Sequence, residues 1–395
     1  MDRLSLRDVI CGIRSSSHRI PAAVIASPTP YLIVAVSGRA LAASAARGGH
    51  RAVVLDCFAD RDTREIAASC RSVVSDHGLR PDSRALLGAA QTLAPGAPLV
   101  YGSGFEGRTG LLRRLAAGRV LYGNRPEVVA AVRDPARFFP LLDRLRLAYP
   151  EVRHARPADP GSWLVKRPGG AGGAHVRHAG AGRPPADAYY QRLERGRTLS
   201  VLFLADGMRA SLLGVNRQWT TSVRAGLPFL YGGAVGGARL PRPVERQIRA
   251  GLDALVAATG LVGLNGLDFI LRGTRWLVLE LNPRPPATGE LYDPDYPRGL
   301  FDRHLRACIG ELPEGPEAAR AVRAHAVVHA GTPARAGVGF AFPPWCRDIP
   351  VAGTRFEVGD PVCTVHASAP GAARALELLR RRHTALRGAL SAAAA

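Results

Sequence analysis

The chain has 395 residues, of which 47% are hydrophobic and 22% charged, and this balance excludes a disordered chain. The formal net charge of +21 admits nucleic acid, anionic membranes or acidic small molecules as partners. However, the arginines are scattered among alanine and leucine, only 6% of residues are aromatic, and the apolar run Tyr31–Val36 is too short to span a membrane. The six cysteines form no Cys-x-x-Cys pair, which favours reduced thiols. The composition therefore predicts a cytoplasmic globular protein that binds small molecules, without a nucleic-acid or membrane partner.

The first predicted elements form a β-α-β unit. A buried strand, Tyr31–Val36, is followed by an alanine-rich helix, Ala40–Arg47, and a second strand, Ala52–Leu55. Two strands joined by a crossover helix pair in parallel. Further strands are predicted at Leu99–Gly104 and Val120–Asn124, so the N-terminal region is expected to be an α/β domain with a parallel sheet.

The middle of the chain combines helices with antiparallel strands. A helix is predicted over Pro135–Leu147, and Asp206-Gly207 is a hairpin signal between two strands. A helix over Pro243–Thr259 stops at Gly260 and precedes a hairpin over residues 267–282. The tail is expected to contain short strands and a basic helix. The predicted domains are an N-terminal α/β domain (1–124), a lid (125–196), a core (197–311) and a β-rich C-terminal region (312–395).

Lys166 is the single lysine among the 53 lysine and arginine residues of the chain. It ends a short apolar run and precedes the glycine-rich loop Pro168–Ala174. A compact ammonium fits a tight phosphate site better than the wider guanidinium fork does. The composition thus indicates a phosphate-binding role for Lys166, with chance survival at the surface as the alternative.

The hairpin over residues 267–282 carries the strongest chemical signal. Glu280 and Asn282 are two residues apart in a strand, so both side chains should leave the same face. A three-residue loop over 273–275 places Asp268 opposite Glu280, whereas a two-residue turn would shift the register and separate them. Two carboxylates and an amide are ligands suited to Mg²⁺ shared with nucleotide phosphates. Arg284 follows two residues after Asn282 and is expected at the same end of the hairpin, where a guanidinium can hold a phosphate. The alternative is an exposed hairpin face with solvated acids.

These motifs resemble the ATP-grasp superfamily over roughly residues 120–300. The resemblance rests on Gly263-Leu-Asn-Gly-Leu-Asp-Phe-Ile270, on Leu279-Glu-Leu-Asn-Pro-Arg284 and on Lys166 with its glycine loop. It implies a fold that clasps ATP between two α+β subdomains, with Mg²⁺, or Mn²⁺ as an alternative, held by Asp268, Glu280 and Asn282. It implies that Gln191 meets the adenine amino group and that the backbone of Arg192 and Leu193 meets the ring edge. The implied nucleotide-binding residues are Lys166, Gly169, Gly170, Gly172, Gly173, Gln191, Arg192, Leu193 and Glu194; the implied catalytic residues are Arg284 and Lys166.

A closer resemblance is to a branch of methanogens and methylotrophs that includes the tyramine–L-glutamate ligase of methanofuran biosynthesis. It rests on strings such as Ser37-Gly-Arg-Ala-Leu-Ala-Ala-Ser44, Asn282-Pro-Arg-Pro-Pro-Ala-Thr288 and Trp345-Cys-Arg-Asp-Ile-Pro350. It implies L-glutamate as the acid and a tyramine-like amine, or a growing cofactor side chain, as the acceptor.

Two positions depart from the superfamily pattern. A further lysine is usual at the start of the lid, but here Pro135 occupies that position, with Arg133 and Arg137 on either side as candidate substitutes. Arg197-Thr198 stands where many relatives place an acidic residue that binds ribose. Either departure implies weaker ATP binding or a different nucleotide preference.

Three smaller features have weaker interpretations. Tyr231–Gly237 is glycine-rich and is predicted to be a substrate-side loop, with a plain surface loop as the alternative. Arg217, Gln218 and Arg224 are candidates for binding a substrate carboxylate. His325 and His329 are four residues apart, but a strand is predicted there, which would separate them, so this pair is not assigned a metal.

The predicted activity is an ATP- and Mg²⁺-dependent carboxylate–amine ligase, which forms an amide through an acyl phosphate and releases ADP and phosphate. The expected partners are small-molecule carboxylate and amine substrates, and a homodimer is left open. The alternatives are an ATP-dependent carboxylase that uses bicarbonate and a non-catalytic nucleotide-binding scaffold. Pro135 favours the scaffold, whereas the set of Asp268, Glu280, Asn282 and Arg284 argues against it.

Overall fold

The structure is a computed structural model that describes residues 29–74, 79–180, 183–223, 227–312, 321–337 and 339–394. Arg224 and the first 28 residues of the predicted N-terminal domain lie outside these ranges. The predicted α/β class, with a parallel β-α-β sheet and antiparallel sheets, is confirmed. The helices are α1 (Arg39–Arg47), α2 (Arg61–Ile66), α3 (Ser83–Leu93), α4 (Thr109–Ala116), α5 (Pro126–Arg133), α6 (Pro135–Arg144), α7 (Arg242–Thr259), α8 (Gly299–Cys308) and α9 (Ala372–Ala394).

The strands fall into four sheets. They are β1 (Tyr31–Val34), β2 (Ala52–Asp56), β3 (Ser69–Ser72), β4 (Leu99–Tyr101), β5 (Leu121–Tyr122), β6 (Val152–Arg153), β7 (Trp163–Lys166), β8 (Val176–His178), β9 (Tyr189–Arg192), β10 (Arg197–Asp206), β11 (Ala210–Thr221), β12 (Leu230–Val235), β13 (Val262–Arg272), β14 (Arg275–Asn282), β15 (Val322–His329), β16 (Ala334–Arg335), β17 (Cys346–Arg347), β18 (Arg355–Phe356) and β19 (Pro361–Ala369). Among the helices of the described ranges, none combines the length and the apolar character needed to cross a bilayer.

The N-terminal sheet is five-stranded and parallel, in the order β3-β2-β1-β4-β5. Its central strands are buried on both faces, which explains their continuous apolar sequences. Leu32 and Leu55 pack in one core with residues of α3 and α4, whereas Ile33 and Val54 pack in another that includes Phe301 of α8. The edge strand β3 was not predicted, because Ser-Cys-Arg-Ser has no apolar run.

A four-stranded antiparallel sheet, in the order β6-β9-β7-β8, forms the region predicted as the lid. Lys166 ends β7 and pairs with Tyr189 of β9 and Val176 of β8. This sheet therefore carries both the single lysine and Gln191, which lies in β9.

An eight-stranded antiparallel sheet, in the order β14-β13-β10-β11-β12-β15-β19-β17, forms the rest of the framework. Helix α7 packs the apolar residues of one face against its β10–β14 half, while α9 packs against β15 and β19. The prediction of a loop over Tyr231–Gly237 was wrong for most of that segment, because the backbone pairs as β12 between β11 and β15. The boundary at 311/312 stays a prediction, and strands from both sides of it share this sheet.

Candidate active site

The hairpin of β13 and β14 brings the predicted acidic residues together by a route that the sequence did not predict. The turn is two residues long, since Arg272 pairs with Arg275 and not with Trp276, so the predicted three-residue loop was wrong. A β-bulge at Leu279 then shifts the register, and Asp268 lies opposite Glu280 after all.

The bulge also reverses which side chains face the core. Val278 is buried in the core beneath the sheet, as Leu281 is, whereas Leu279 lines the open side together with Glu280. The expectation that Val278 shares a face with Glu280 was therefore wrong. A strand without the bulge would keep Val278 and Glu280 on one face, so the extra residue is what allows a buried Val278 and a site-facing Glu280.

Asp268, Glu280 and Asn282 form one polar cluster. Asn282 Nδ2 donates to Asp268 Oδ2 at 3.0 Å, and Gln218 Nε2 donates to Asp268 Oδ1 at 2.9 Å. Burial and the neighbouring carboxylate of Glu280 raise the pKa of Asp268 to about 7. Gln218, predicted as a substrate ligand, therefore contacts the acidic cluster, while its neighbour Arg217 is exposed.

Arg133, two residues before Pro135, is a basic residue that reaches this cluster. Its Nη1 donates to Glu280 Oε2 at 3.3 Å and to the carbonyl of Leu281 at 3.1 Å, and its Nη2 donates to the carbonyl of Gly170 at 2.6 Å. Arg137 lies on the exposed face of α6, whereas Phe138 and Phe139 of the same helix are buried. Of the two candidate substitutes for the lysine, only Arg133 contacts Glu280.

Lys166 and His175 complete the cationic surroundings of Glu280. His175 Nε2 lies 3.7 Å from Glu280 Oε2. Burial opposes ionisation of Glu280, but Arg133, His175 and Lys166 together outweigh it and hold the pKa of this carboxyl well below its usual range. Burial lowers the pKa of Lys166, and the charge of Glu280 acts in the opposite direction.

The glycine-rich loop after Lys166 is fixed in place by its backbone. The carbonyl of Gly172 accepts a hydrogen bond from Tyr231 N at 3.0 Å. At Gly173, whose φ is +80°, a Cβ atom would lie 1.7 Å from the carbonyl oxygen of Phe229. No residue with a side chain fits there without a shift of the backbone, so the glycine allows the loop to approach β12.

Gln191 is 1% exposed, and neither its side-chain oxygen nor its nitrogen has a hydrogen-bond partner within the part of the chain that the structure describes. Buried amides are normally paired, so both atoms of this one are available to a bound group that can donate and accept hydrogen bonds. The predicted backbone contacts are partly occupied, because the N–H of Arg192 donates to Glu151 and that of Leu193 donates to Ser162. Glu194 is half-buried and lines the same cavity.

Arg284 lies at the other end of the cluster. Its Nε donates to Glu106 Oε1 at 2.8 Å, and its Nη2 donates to Asn282 Oδ1 at 3.3 Å. Although burial opposes ionisation of Glu106, Arg284 and Arg133 lower the pKa of its carboxyl. Sequence reasoning missed Glu106 and His175, since neither belongs to a motif and each meets the site only through tertiary contacts.

The predicted nucleotide-binding, metal-binding and catalytic residues all line one cavity of about 1630 Å³, whereas Arg217 does not. The lining includes Lys166, the glycine loop, Gln191, Asp268, Glu280, Asn282 and Arg284. Its far side is a second polar cluster around Arg39 and Glu290, which sequence reasoning did not identify.

Comparisons with known proteins agree with this geometry. A family model described as an ATP-grasp domain matches residues 133–288. No curated protein matches the sequence. Biotin carboxylase of Campylobacter jejuni, solved as a βγ-ATP complex, is 12% identical over 88% of this chain and 89% of its own, with a TM-score of 0.67.

Two further solved structures are similar over most of their length. The biotin carboxylase domain dimer of Hydrogenobacter thermophilus 2-oxoglutarate carboxylase, in complex with MgADP, ADP and bicarbonate, is 14% identical over 90% of each chain, with a TM-score of 0.66. N5-carboxyaminoimidazole ribonucleotide synthetase of Thermotoga maritima is 17% identical over 90% of this chain and 98% of its own, with a TM-score of 0.63. The chain therefore has the ATP-grasp fold, and its residues 133–288 match the model of the ATP-grasp domain.

Proposed function

We propose that the protein is an ATP- and Mg²⁺-dependent ligase that joins a carboxylate to an amine, with release of ADP and phosphate. The observation that carries the proposal is the bulged hairpin, which places Asp268, Glu280 and Asn282 on one side of the cavity opposite Lys166. A site whose acids only faced solvent would not need Arg133 and His175 beside Glu280, with the charge of Lys166 acting on the same carboxylate.

The donor types fit magnesium, because two carboxylates and an amide oxygen are hard ligands. Asp268 lies opposite Glu280 and accepts a hydrogen bond from Nδ2 of Asn282, while the amide oxygen of Asn282 accepts one from Arg284. Asp268, Glu280 and Asn282 would hold the ion. When bound, Mg²⁺ would neutralise phosphate charge and the like charges of the two carboxylates.

The basic residues suit the transfer of a phosphoryl group. A carboxylate oxygen of the substrate attacks the γ-phosphorus, the bond to the bridging oxygen of ADP breaks, and an acyl phosphate results. The amine nitrogen then attacks the acyl carbon, loses a proton and expels phosphate. Lys166 and Arg284 would stabilise the charge on the transferred group, and Arg133 would position Glu280 and the loop at Gly170. The substrate carboxylate is already a nucleophile, so positioning contributes more than a general base does.

At the adenine end, the unpaired amide of Gln191 and the backbone at Glu194 would bind the base. The backbone N–H groups of Arg192 and Leu193 already donate within the protein, so these two residues would contact the base only through other backbone atoms. The lid glycines Gly169, Gly170, Gly172 and Gly173 would cover the phosphates.

For the substrates we propose L-glutamate as the acid and a tyramine-like amine or cofactor side chain as the acceptor, in the biosynthesis of a one-carbon cofactor of the methanofuran type. This proposal rests on the strings Ser37–Ser44, Asn282–Thr288 and Trp345–Pro350. Residues of these strings reach the cavity, among them Ser37, Arg39, Thr288 and Asp348.

A carboxylase that uses bicarbonate is the second candidate, because biotin carboxylases share the fold over most of the chain. The scaffold alternative is weakened by Arg133, which supplies a cation at Glu280 where Pro135 removes the expected lysine.

The test is ADP release by the purified protein with Mg-ATP, L-glutamate and a panel of amines, with and without bicarbonate. Turnover should require both glutamate and one amine. Glu280→Gln should lower it by at least about a hundredfold, because Glu280 would be both a metal ligand and the ion-pair partner of Arg133. Glu245→Gln, on the exposed side of α7, is the matched control and should leave turnover unchanged.

The outcomes separate the candidates. ADP release that depends on bicarbonate and not on an amine would assign a carboxylase. ATP binding without substrate-dependent ADP release in any combination would reject the ligase and favour the scaffold.

A further inference from the structure

A second cluster of ligand-type side chains lies across the cavity from the hairpin. It consists of Glu290, in the 3₁₀ turn Ala287–Leu291, and of His325 and His366 on β15 and β19. The two histidines are directly opposite each other in the antiparallel pairing of these strands. One oxygen of Glu290 and one nitrogen from each ring all lie within 4.8 Å of one another.

The ring nitrogens of this cluster are incompletely paired. His325 is 2% exposed, and its Nδ1 has no hydrogen-bond partner among the described residues; the same is true of Nε2 of His366. The Nε2 of His366 lies 3.6 Å from Glu290 Oε2, beyond hydrogen-bonding range. Because buried polar atoms are normally satisfied, two orphan nitrogens beside a carboxylate indicate a missing ligand.

The opposite side of the His325 ring is held by a neighbour. The hydroxyl of Tyr231 lies 2.7 Å from His325 Nε2. When the ring donates from Nε2 to this hydroxyl, Nδ1 keeps its lone pair for a metal ion, an arrangement common to metal-binding histidines. In that tautomer Tyr231 orients the ring and leaves Nδ1, the unpaired atom, available as a ligand.

The charge around the cluster favours a cation. Arg39 is 3% exposed and contacts three carboxylates: it pairs with Glu290 through two nitrogens, lies 3.1 Å from Asp348 and lies 3.9 Å from Asp62. One guanidinium does not balance three carboxylates, so the group has an excess of negative charge. A divalent cation at Glu290 would compensate for it.

We propose that Glu290, His325 and His366 form a binding site for a divalent transition metal of the zinc type. Two imidazoles and one carboxylate are a donor set that favours zinc, cobalt or iron over magnesium. A tetrahedral site with metal–nitrogen bonds of about 2.0–2.1 Å has ligand atoms about 3.3 Å apart. The observed separations reach up to 4.8 Å, so binding would draw the ligand atoms together by up to about 1.5 Å.

This site is separate from the magnesium site proposed above, and it does not depend on the ligase proposal. Glu290 and His325 line the same cavity as Lys166, so a metal held there would be accessible to a substrate group. The ion would also tie the C-terminal strands to the 3₁₀ turn that follows the hairpin. The competing occupant is the ammonium group of an amine substrate.

The test is Co²⁺ binding by the metal-free full-length protein in excess Mg²⁺, followed by visible absorption and elemental analysis. The wild type should bind one equivalent and show the d–d bands of a site with nitrogen ligands. His325→Gln and His366→Gln should both abolish the bands. His329→Gln, on the same strand but outside the cluster, is the matched control and should retain them.

Two further variants keep the test decisive. Tyr231→Phe should weaken Co²⁺ binding by about 10- to 100-fold, as expected when a residue that orients a metal ligand is lost. Asp268→Asn should leave the bands unchanged, because it alters only the magnesium site. Bands that persist in both histidine variants, or the absence of stoichiometric binding by the wild type, would overturn the proposal. Binding of an alkylamine, and not of Co²⁺, that is lost in His325→Gln would assign the cluster to the amine substrate instead.

Discussion

Arg133 should be the largest single electrostatic contributor to the stability of the site. Its side chain is 7% exposed, and it donates three hydrogen bonds, to Glu280, Leu281 and Gly170. Removing one partner of a buried ion pair typically costs about 3–5 kcal/mol. Glu280 retains His175 and Lys166 and is 25% exposed to the cavity, so we expect the lower end, about 3 kcal/mol, for Arg133→Met.

The measurement is urea unfolding, with the loss taken from the shift of the midpoint at unchanged slope. Arg137→Met, four residues away and exposed, is the control and should change the free energy of unfolding by less than about 0.5 kcal/mol. A double-mutant cycle with Glu280→Gln identifies the cause. If the unpaired carboxylate dominates the loss, the double variant should be more stable than additivity predicts by at least about 1 kcal/mol. A loss below about 1 kcal/mol in Arg133→Met, or additivity in the cycle, would refute this reasoning.

Three further predictions follow from single residues. Gly173→Ala should raise the KM for ATP far more than Gly172→Ala: both glycines have positive φ, but only at Gly173 would the new Cβ clash with Phe229; equal effects would contradict the role of close approach. Gln191→Met should stabilise the ATP-free protein by about 1 kcal/mol, because it removes an unpaired buried amide. The same change should weaken ATP binding measured by calorimetry, and ATP binding that is unchanged or tighter would reject the adenine contact. Burial lowers the pKa of His304 to about 4. Neutral His304 therefore contributes to the free energy of unfolding fully above about pH 6.5, and up to about 3 kcal/mol of that free energy is lost as the pH falls toward 4. The free energy of unfolding of His304→Gln should fall less steeply with decreasing pH than that of the wild type, and identical pH profiles would contradict this.

The local parts of the fold and site could be predicted from the sequence because they depend on neighbours in the chain. The apolar run at β1, the alanine-rich helix α1 and the alternation at Glu280 and Asn282 each have a direct local cause. The polar strand β3 has no such local signal in its sequence, because a strand at the edge of the sheet does not need apolar residues.

The hairpin shows where local reasoning fails. A turn of two residues was expected to separate Asp268 from Glu280, and the turn is indeed two residues long. The bulge at Leu279 restores the pairing, but no glycine or proline marks it. The cause is tertiary: Val278 must fill the core while Glu280 faces the cavity, and only an extra residue between them satisfies both.

The pairs that complete the site join residues far apart in the chain. Arg133 is 147 residues from Glu280, Glu106 is 178 residues from Arg284, and His325 meets His366 only through the register of β15 and β19. Such contacts follow from sheet order, which the sequence alone did not supply.

Glu280 connects three parts of the molecule that ATP binding would have to coordinate. Arg133 contacts it from the end of α5 and His175 lies beside it at the end of the glycine loop, while the charge of Lys166 acts on it from the lid sheet. A cation bound at Glu280 would compete with Arg133 and His175 for the oxygen Oε2, and the phosphates of ATP would offer the three basic groups a new partner. Exchange of partners around one carboxylate would therefore couple the position of the lid to occupancy of the site. The bulge at Leu279 would be a precondition of this coupling, because it brings Glu280 to the cavity side of the strand.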